Sequence, residues 1–200
     1  LRLMESGKAS ARLLLKPTVL QRMQAIATDG IMQRATHLTA NLPSEDAVIE
    51  QLIAARRNFL NAASGDPAAG KELFKKSCLI CHQLAGEGKQ VGPNLDGIGN
   101  RGTDRLLEDV LAPNRNVDVA FRTTTVVTDE GKAYSGLLKE LEGNRVSIID
   151  SQAKETILQT DTIEERKAAT TSPMPSNVSE TFTETQLRDL MTFLLQQRKK

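Results

Sequence analysis

Large flat side chains and metal-binding side chains are both scarce in this chain. Tryptophan is absent, tyrosine occurs once and phenylalanine five times, beside two cysteines and two histidines in 200 residues. A core so poor in aromatics leaves room for a large flat ligand. Charge of one sign is missing too, since 26 basic residues face 25 acidic ones for a formal charge of +1. The balance is +3 over residues 1–65 and −1 over each of 66–118 and 119–200, with no basic block. Nucleic acid is therefore a poor candidate partner. No apolar run is long enough to span a bilayer, so no membrane span is expected. The three leucines at 13–15 are too few for the apolar region of a signal peptide, and charges flank them. The chain begins with leucine, as a processed or excised piece would.

Two hundred residues suffice for one large or two small domains. Residues 1–65 read as a helical segment. The stretch LIAARRNFL (52–60) spaces its apolar side chains as a helix face does, and SED at 44–46 supplies a cap with acidic first-turn residues. Leu13, Leu14, Val19, Leu20, Met23 and Ile26 suggest earlier helices, interrupted at Pro17 and Gly30. At DPAAGKELF (66–74), Asp66 caps and Pro67 opens a helix that runs into Cys78. GEGKQVGPNL (86–95) is a glycine-rich loop, and Thr103 to Leu111 a short helix capped by Thr103 and stopped by Pro113. From 119 the period changes to that of strands, and four short ones in about forty residues predict a small antiparallel sheet or barrel. Residues 168–180 are turn-rich. The chain closes on an amphipathic helix with Leu187, Leu190, Met191 and Leu194 on one face.

The chemistry concentrates in KKSCLICHQ (75–83), which holds both cysteines and one of the two histidines. Three uses of Cys-x-x-Cys compete. A thioredoxin-like redox pair sits at a helix N-terminus after a strand, where the dipole lowers a thiol pKa. Here the pair lies at the C-terminal end of a helix with no strand before it. A structural zinc site needs four ligands. After Cys78, Cys81 and His82 only His37 remains, over forty residues away in a helical pattern. The third use is covalent attachment of a c-type haem, whose signature is C-x-x-C-H. Two sulfurs three residues apart on a helical turn share one side and can meet two vinyl groups along one porphyrin edge. The adjacent histidine can then reach the iron from below. In this reading Cys78 and Cys81 tether one haem c per chain and His82 ligates its iron.

The surrounding residues resemble the class I cytochrome c pattern over 66–118 and 168–196. DPAAGKELF is similar to that family's N-terminal helix. The resemblance implies that Gly70 lets the C-terminal helix cross closely, with Phe74 packing at the crossing against Leu190 and Phe193. VGPNL (91–95) is similar to the family loop on the histidine side, which implies that the Pro93 carbonyl accepts the second ring N–H of His82 and that Leu95 presses on the haem. More narrowly, the order of segments over 66–196 resembles a haem-binding domain found at the C-terminus of large, multidomain proteins of planctomycetes and verrucomicrobia. The expected fold is mainly α: a cytochrome c fold over 66–200 with haem core at 66–118 and 165–200, a β-rich insert at 119–163, and the helical lead-in at 1–65.

The family places a methionine ligand in a loop just before its last helix, which implies Met174 as the second axial ligand. Met174 lies between Pro173 and Pro175 in a polar loop, where a thioether has no core to join. Met4, Met23, Met32 and Met191 fall in helical patterns and read as packing residues; His37 reads as a surface or half-buried side chain. The 92 residues from His82 to Met174 exceed what a minimal domain of this family needs, and the insert fills about half of them. The tryptophan that the family sets near a haem propionate is absent. Arg101 is a candidate replacement cation, or else a solvated loop arginine. The resemblance implies a one-electron carrier rather than an enzyme, partnered by a redox protein or a fused redox domain and located in the periplasm or exported. The alternative is a haem-based peroxidase or a gas or redox sensor with a labile methionine ligand.

Overall fold

A computed structural model describes residues 1–199, apart from the side chains of Pro17, Thr18 and Ala62. The chain divides into two compact units, Leu1–Leu52 and Ile53–Lys200. The first is helical: α1 (Arg2–Glu5), a 3-10 turn at Ala11–Leu15, α2 (Pro17–Ile26), α3 (Asp29–Thr39) and the opening of α4 (Glu45–Ala62). Its buried side chains include Leu14 and Ala35, and a forked ion pair joins Arg34 to Glu5 at 2.7 and 2.6 Å. The interruption expected at Pro17 is there, and Pro17 opens α2. Gly30 does not end a helix: it lies in the first turn of α3, and the break falls at Ala27–Thr28, both in extended backbone.

The second unit is organised by a helix crossing. Here α5 (Pro67–Ser77) meets α8 (Glu184–Gln196). Asp66 caps α5 by accepting the N–H groups of Ala68 and Ala69 at 2.8 and 3.3 Å, and Thr183 and Gln186 form a reciprocal cap on α8. At the crossing the backbones almost touch. A Cβ at Gly70 would lie 2.0 Å from the Asp189 carbonyl oxygen, so only glycine fits. Beside it, the rings of Phe74 and Phe193 meet at 5.5 Å between centroids, tilted by 48°. Leu187, Leu190, Met191 and Leu194 are buried on one face of α8, as its periodicity predicts. The core is completed by α6 (Gly102–Leu111), which buries Leu106, Leu107, Val110 and Leu111. That helix begins one residue before Thr103, so Thr103 is inside it rather than capping it.

The expected mainly α class is met only in part. Beyond a two-residue hairpin, β1 (Gln83–Leu84) and β2 (Glu87–Gly88), residues 123–168 form five strands instead of four. These are β3 (Thr123–Thr128), β4 (Ala133–Leu141), β5 (Arg145–Ile149), β6 (Glu155–Gln159) and β7 (Ile163–Ala168), all antiparallel in the order β6-β5-β4-β3-β7. The fifth strand carries IEERKA, whose charges hide it from a search for alternating apolar residues but suit an edge. In a flat sheet the two edges would be about 19 Å apart, at ~4.8 Å per strand. The three residues from β6 to β7 reach about 14 Å at most. The sheet is therefore curled, with Val126, Val146 and Ile148 on its inner face. One short helix, α7 (Val178–Thr181), precedes α8.

Candidate functional site

The end of α5 shapes the site. After Ser77 the chain keeps turning: the N–H of Cys78 bonds the Phe74 carbonyl at 2.8 Å, and Cys81 and His82 both bond the Cys78 carbonyl, at 3.0 and 2.8 Å. Cys78, Cys81 and His82 thus occupy one tight turn. Both cysteines are free thiols and half-buried. Burial, with Cys81 as a neighbour, pushes the Cys78 thiol up to about 12. Burial also raises the Cys81 thiol, partly offset by Lys89. A redox-active Cys-x-x-Cys depends on a lowered thiol, so this pair has the wrong electrostatics for thiol–disulfide exchange. Among the described residues no three His, Cys, Asp or Glu side chains converge as a metal site.

His82 is held by the loop that follows. Its Nδ1 lies 2.9 Å from the Pro93 carbonyl oxygen. A carbonyl can only accept, so Nδ1 carries the hydrogen and Nε2 keeps the lone pair. Burial lowers the imidazole pKa, only partly countered by the Pro93 bond, which favours the neutral ring that a metal needs. Gly92 makes the seat: a Cβ there would stand 2.7 Å from Cε1 and 3.0 Å from Nδ1 of His82. The loop closes back on the turn through the N–H groups of Val91 and Gly92, which both bond the Cys81 carbonyl at 3.0 and 2.7 Å. Between turn and loop, Ala85 and Gly86 at φ 52° and 81° form a tight hairpin of the kind whose twist suits paired strands. Asp96 fastens it by accepting the Ala85 N–H at 2.6 Å.

The other residues named from the sequence fall as follows. Leu95 is half-buried, and its N–H bonds the Gln83 carbonyl at 2.8 Å. Arg101 is exposed and its guanidinium forks onto Asp109 at 2.6 and 3.1 Å. Met174 is half-buried on a separate loop, its N–H on Ser172 Oγ at 3.1 Å, while the Ser172 N–H reaches Asn114 Oδ1 at 2.8 Å. His37 is exposed on α3. Sequence reasoning missed one set of neighbours: Cys81 and Phe121 pack against a buried cluster of Val91, Leu137 and Ile149, which joins the motif to the sheet. Strand alternation puts Leu137 and Ile149 on the face opposite Val146 and Ile148, and gives no hint of what buries them.

The residues present fit a covalently attached porphyrin: two unpaired, half-buried thiols on one turn, and an imidazole whose Nε2 is the lone-pair nitrogen. Together with the α5–α8 crossing, they define a class I c-type cytochrome domain. The sequence profile of the family described as "Cytochrome c" matches residues 67–140. The chain is 46% identical to cytochrome c of Ulva intestinalis over 44 residues, 22% of this chain and 40% of that protein. It is 36% identical to cytochrome c of Guizotia abyssinica over 66 residues, 32% of this chain and 60% of that protein. Cytochrome c-554 of Methylosinus trichosporium is 35% identical over 71 residues, 35% of this chain and 48% of that protein. The chain thus spans between 40 and 60% of the length of these relatives, and the matched profile ends before Met174. The chain carries a domain of the cytochrome c family, and the cofactor this implies is haem c, bound through the two cysteines of its Cys-x-x-Cys-His motif.

Proposed function

We propose that this domain is a one-electron carrier with a single haem c, tethered by Cys78 and Cys81 and ligated by His82 Nε2 and the Met174 sulfur. The observation that carries the reading is the 2.9 Å bond from His82 Nδ1 to the Pro93 carbonyl. It fixes the tautomer and ring orientation, as the second-shell bond of a ligating histidine does. When bound, the haem supplies a one-electron iron couple, and thioether ligation favours its ferrous form. The chain's own residues bind and orient. Gly92 and Pro93 hold the imidazole plane, and Leu95 covers the histidine side. The Met174 loop is anchored through Ser172 to Asn114, just after α6. Arg101 is committed to Asp109, which weakens its claim as a cation for the propionates.

Partners on this reading are redox proteins or fused redox domains, engaged through the small, short-lived contacts usual in electron transfer. The narrower resemblance adds a place within a larger protein, and haem c chemistry adds a periplasmic or exported location. Among the described residues no helix is long and apolar enough to cross a membrane.

Absorption spectra of oxidised and reduced protein test the proposal. Met174→Ala should abolish the weak long-wavelength sulfur-to-iron band and lower the potential, with haem still attached. An unaltered spectrum refutes the methionine assignment. Carbon monoxide binding by the native reduced protein at neutral pH refutes the carrier and supports a sensor or peroxidase.

A further inference from the structure

The curled sheet buries an apolar pair that its own interior does not use. Along β4 and β5 side chains alternate between faces, and Val146 and Ile148 line the inner one. Leu137 and Ile149, paired directly across the two strands, point to the outer one with Ser135, Lys139 and Ser147. Outward positions on an antiparallel sheet are ordinarily polar, and most of this face is. Yet Leu137 is 3% exposed and Ile149 7%. They form one buried cluster with Val91, and Cys81 and Phe121 pack against it. Two residues along β4 on the same face, Lys139 donates to the Gln90 carbonyl at 2.7 Å, tying the sheet to the loop that seats His82.

We propose that this corner of the sheet is a wall of the haem pocket. Leu137 and Ile149, flanked by Phe121 and Val91, exclude water from the Cys81 edge of the cofactor, and Lys139 clasps the wall in place. The proposal rests on the haem reading above and gives the β insert a role in setting the potential. The oxidised iron carries one positive charge more than the reduced iron, so water at the edge favours the oxidised form, and a dry wall raises the potential.

The test is a spectroelectrochemical titration of the haem-loaded protein. Leu137→Ala and Ile149→Ala should each lower the midpoint potential while haem stays covalently attached. Lys139→Gln, at an exposed position that folding tolerates, should lower it less. Val126→Ala removes a buried side chain from the inner face, so it should destabilise the sheet and leave the potential where it was. Unchanged potentials in Leu137→Ala and Ile149→Ala overturn the proposal, as does an equal fall in Val126→Ala. Should the two wall variants fail to fold, an unchanged potential in Lys139→Gln overturns it. Wild-type protein without haem stain on a denaturing gel overturns the haem reading itself and takes this proposal with it.

Discussion

Gly92→Ala probes the seat of His82 most directly. The added methyl carbon would stand 2.7 Å from Cε1, 3.0 Å from Nδ1 and 3.3 Å from Nε2 of the ring. Carbon atoms in contact sit about 3.5–4.0 Å apart, so ring or loop must move by about 1 Å. If the ring turns, Nδ1 leaves the Pro93 carbonyl, a net loss of about 0.5–1.5 kcal/mol. If the loop moves instead, it strains the 2.7 Å bond from the Gly92 N–H to Cys81, and overpacking of this kind costs about 1–3 kcal/mol. The stiffer unfolded chain returns about 0.4–1 kcal/mol, because the Gly92 backbone lies outside the left-handed region. The net is a destabilisation of about 0–1 kcal/mol if the ring turns and about 0.5–2 kcal/mol if the loop moves. For a unit of this size a loss of about 2 kcal/mol corresponds to a Tm lower by about 4–8 °C. The assay is thermal melting of the oxidised holo-protein, followed both by far-ultraviolet circular dichroism and at the main haem band. Gly131→Ala is the control: its φ of 73° makes alanine strained, but nothing lies within 4 Å of the new carbon. It should lower Tm without altering the haem spectrum, whereas Gly92→Ala should alter both. A Gly92→Ala protein with wild-type Tm and spectrum would refute the seat.

Gly70→Ala pits helix propensity against space. Alanine gains about 1 kcal/mol within α5, but its Cβ meets the Asp189 carbonyl oxygen at 2.0 Å and cannot rotate away from backbone, so a net loss of about 2 kcal/mol is expected in melts; a raised Tm would contradict the crossing. The Asp96 carboxyl is held below its ordinary 3.8, chiefly by the Ala85 N–H and then by Lys199, so its contribution is complete above 3.8 and drains away as pH falls through the lowered folded value. Hydrogen exchange should find the Ala85 amide protected at neutral pH and open in strong acid, and Asp96→Ala, which removes the acceptor, should expose it already at neutral pH; equal protection in both proteins at pH 7 would remove Asp96 from the hairpin.

How much of this was legible in the sequence differs by the range of the interaction. The motif and the cap that precedes it are local: Asp66 and Pro67 act within three residues of themselves, and the structure finds each in its expected role. The α5–α8 crossing is long-range, yet it could be read because family resemblance supplied the pairing of Gly70 and Phe74 with Phe193. Strand β7 was not legible, since an edge strand needs no apolar face and IEERKA has none. Gly30 misled for a related reason. Glycine disfavours a helix interior by about 1 kcal/mol, but its position in the first turn of α3 is where that cost is most easily outweighed. The contact between Cys81 and the sheet was hidden most completely. Leu137 lies 56 positions along the chain from Cys81, on the strand face that alternation leaves to solvent, so nothing local announces its burial or its partner.

That contact changes how the long gap between His82 and Met174 is to be understood. An insert that merely lengthened a surface loop would cost little, because loop closure grows only with the logarithm of length, and it would also do little. This one folds back so that its outer face meets the turn carrying Cys81. The segment from Cys78 to Gly92 is then fixed at both ends: α5 leads into it from the crossing, and Leu137, Ile149 and Lys139 hold its far side. The two anchors act on different quantities. The crossing is a backbone-to-backbone contact that would put any Cβ at Gly70 2.0 Å from the Asp189 carbonyl oxygen, so a change there appears as lost stability. The sheet anchor is a removable apolar cover, so a change there appears as water beside Cys81. On the proposed wall, a change in the insert would alter the redox set-point while leaving the attachment turn and the helix crossing untouched.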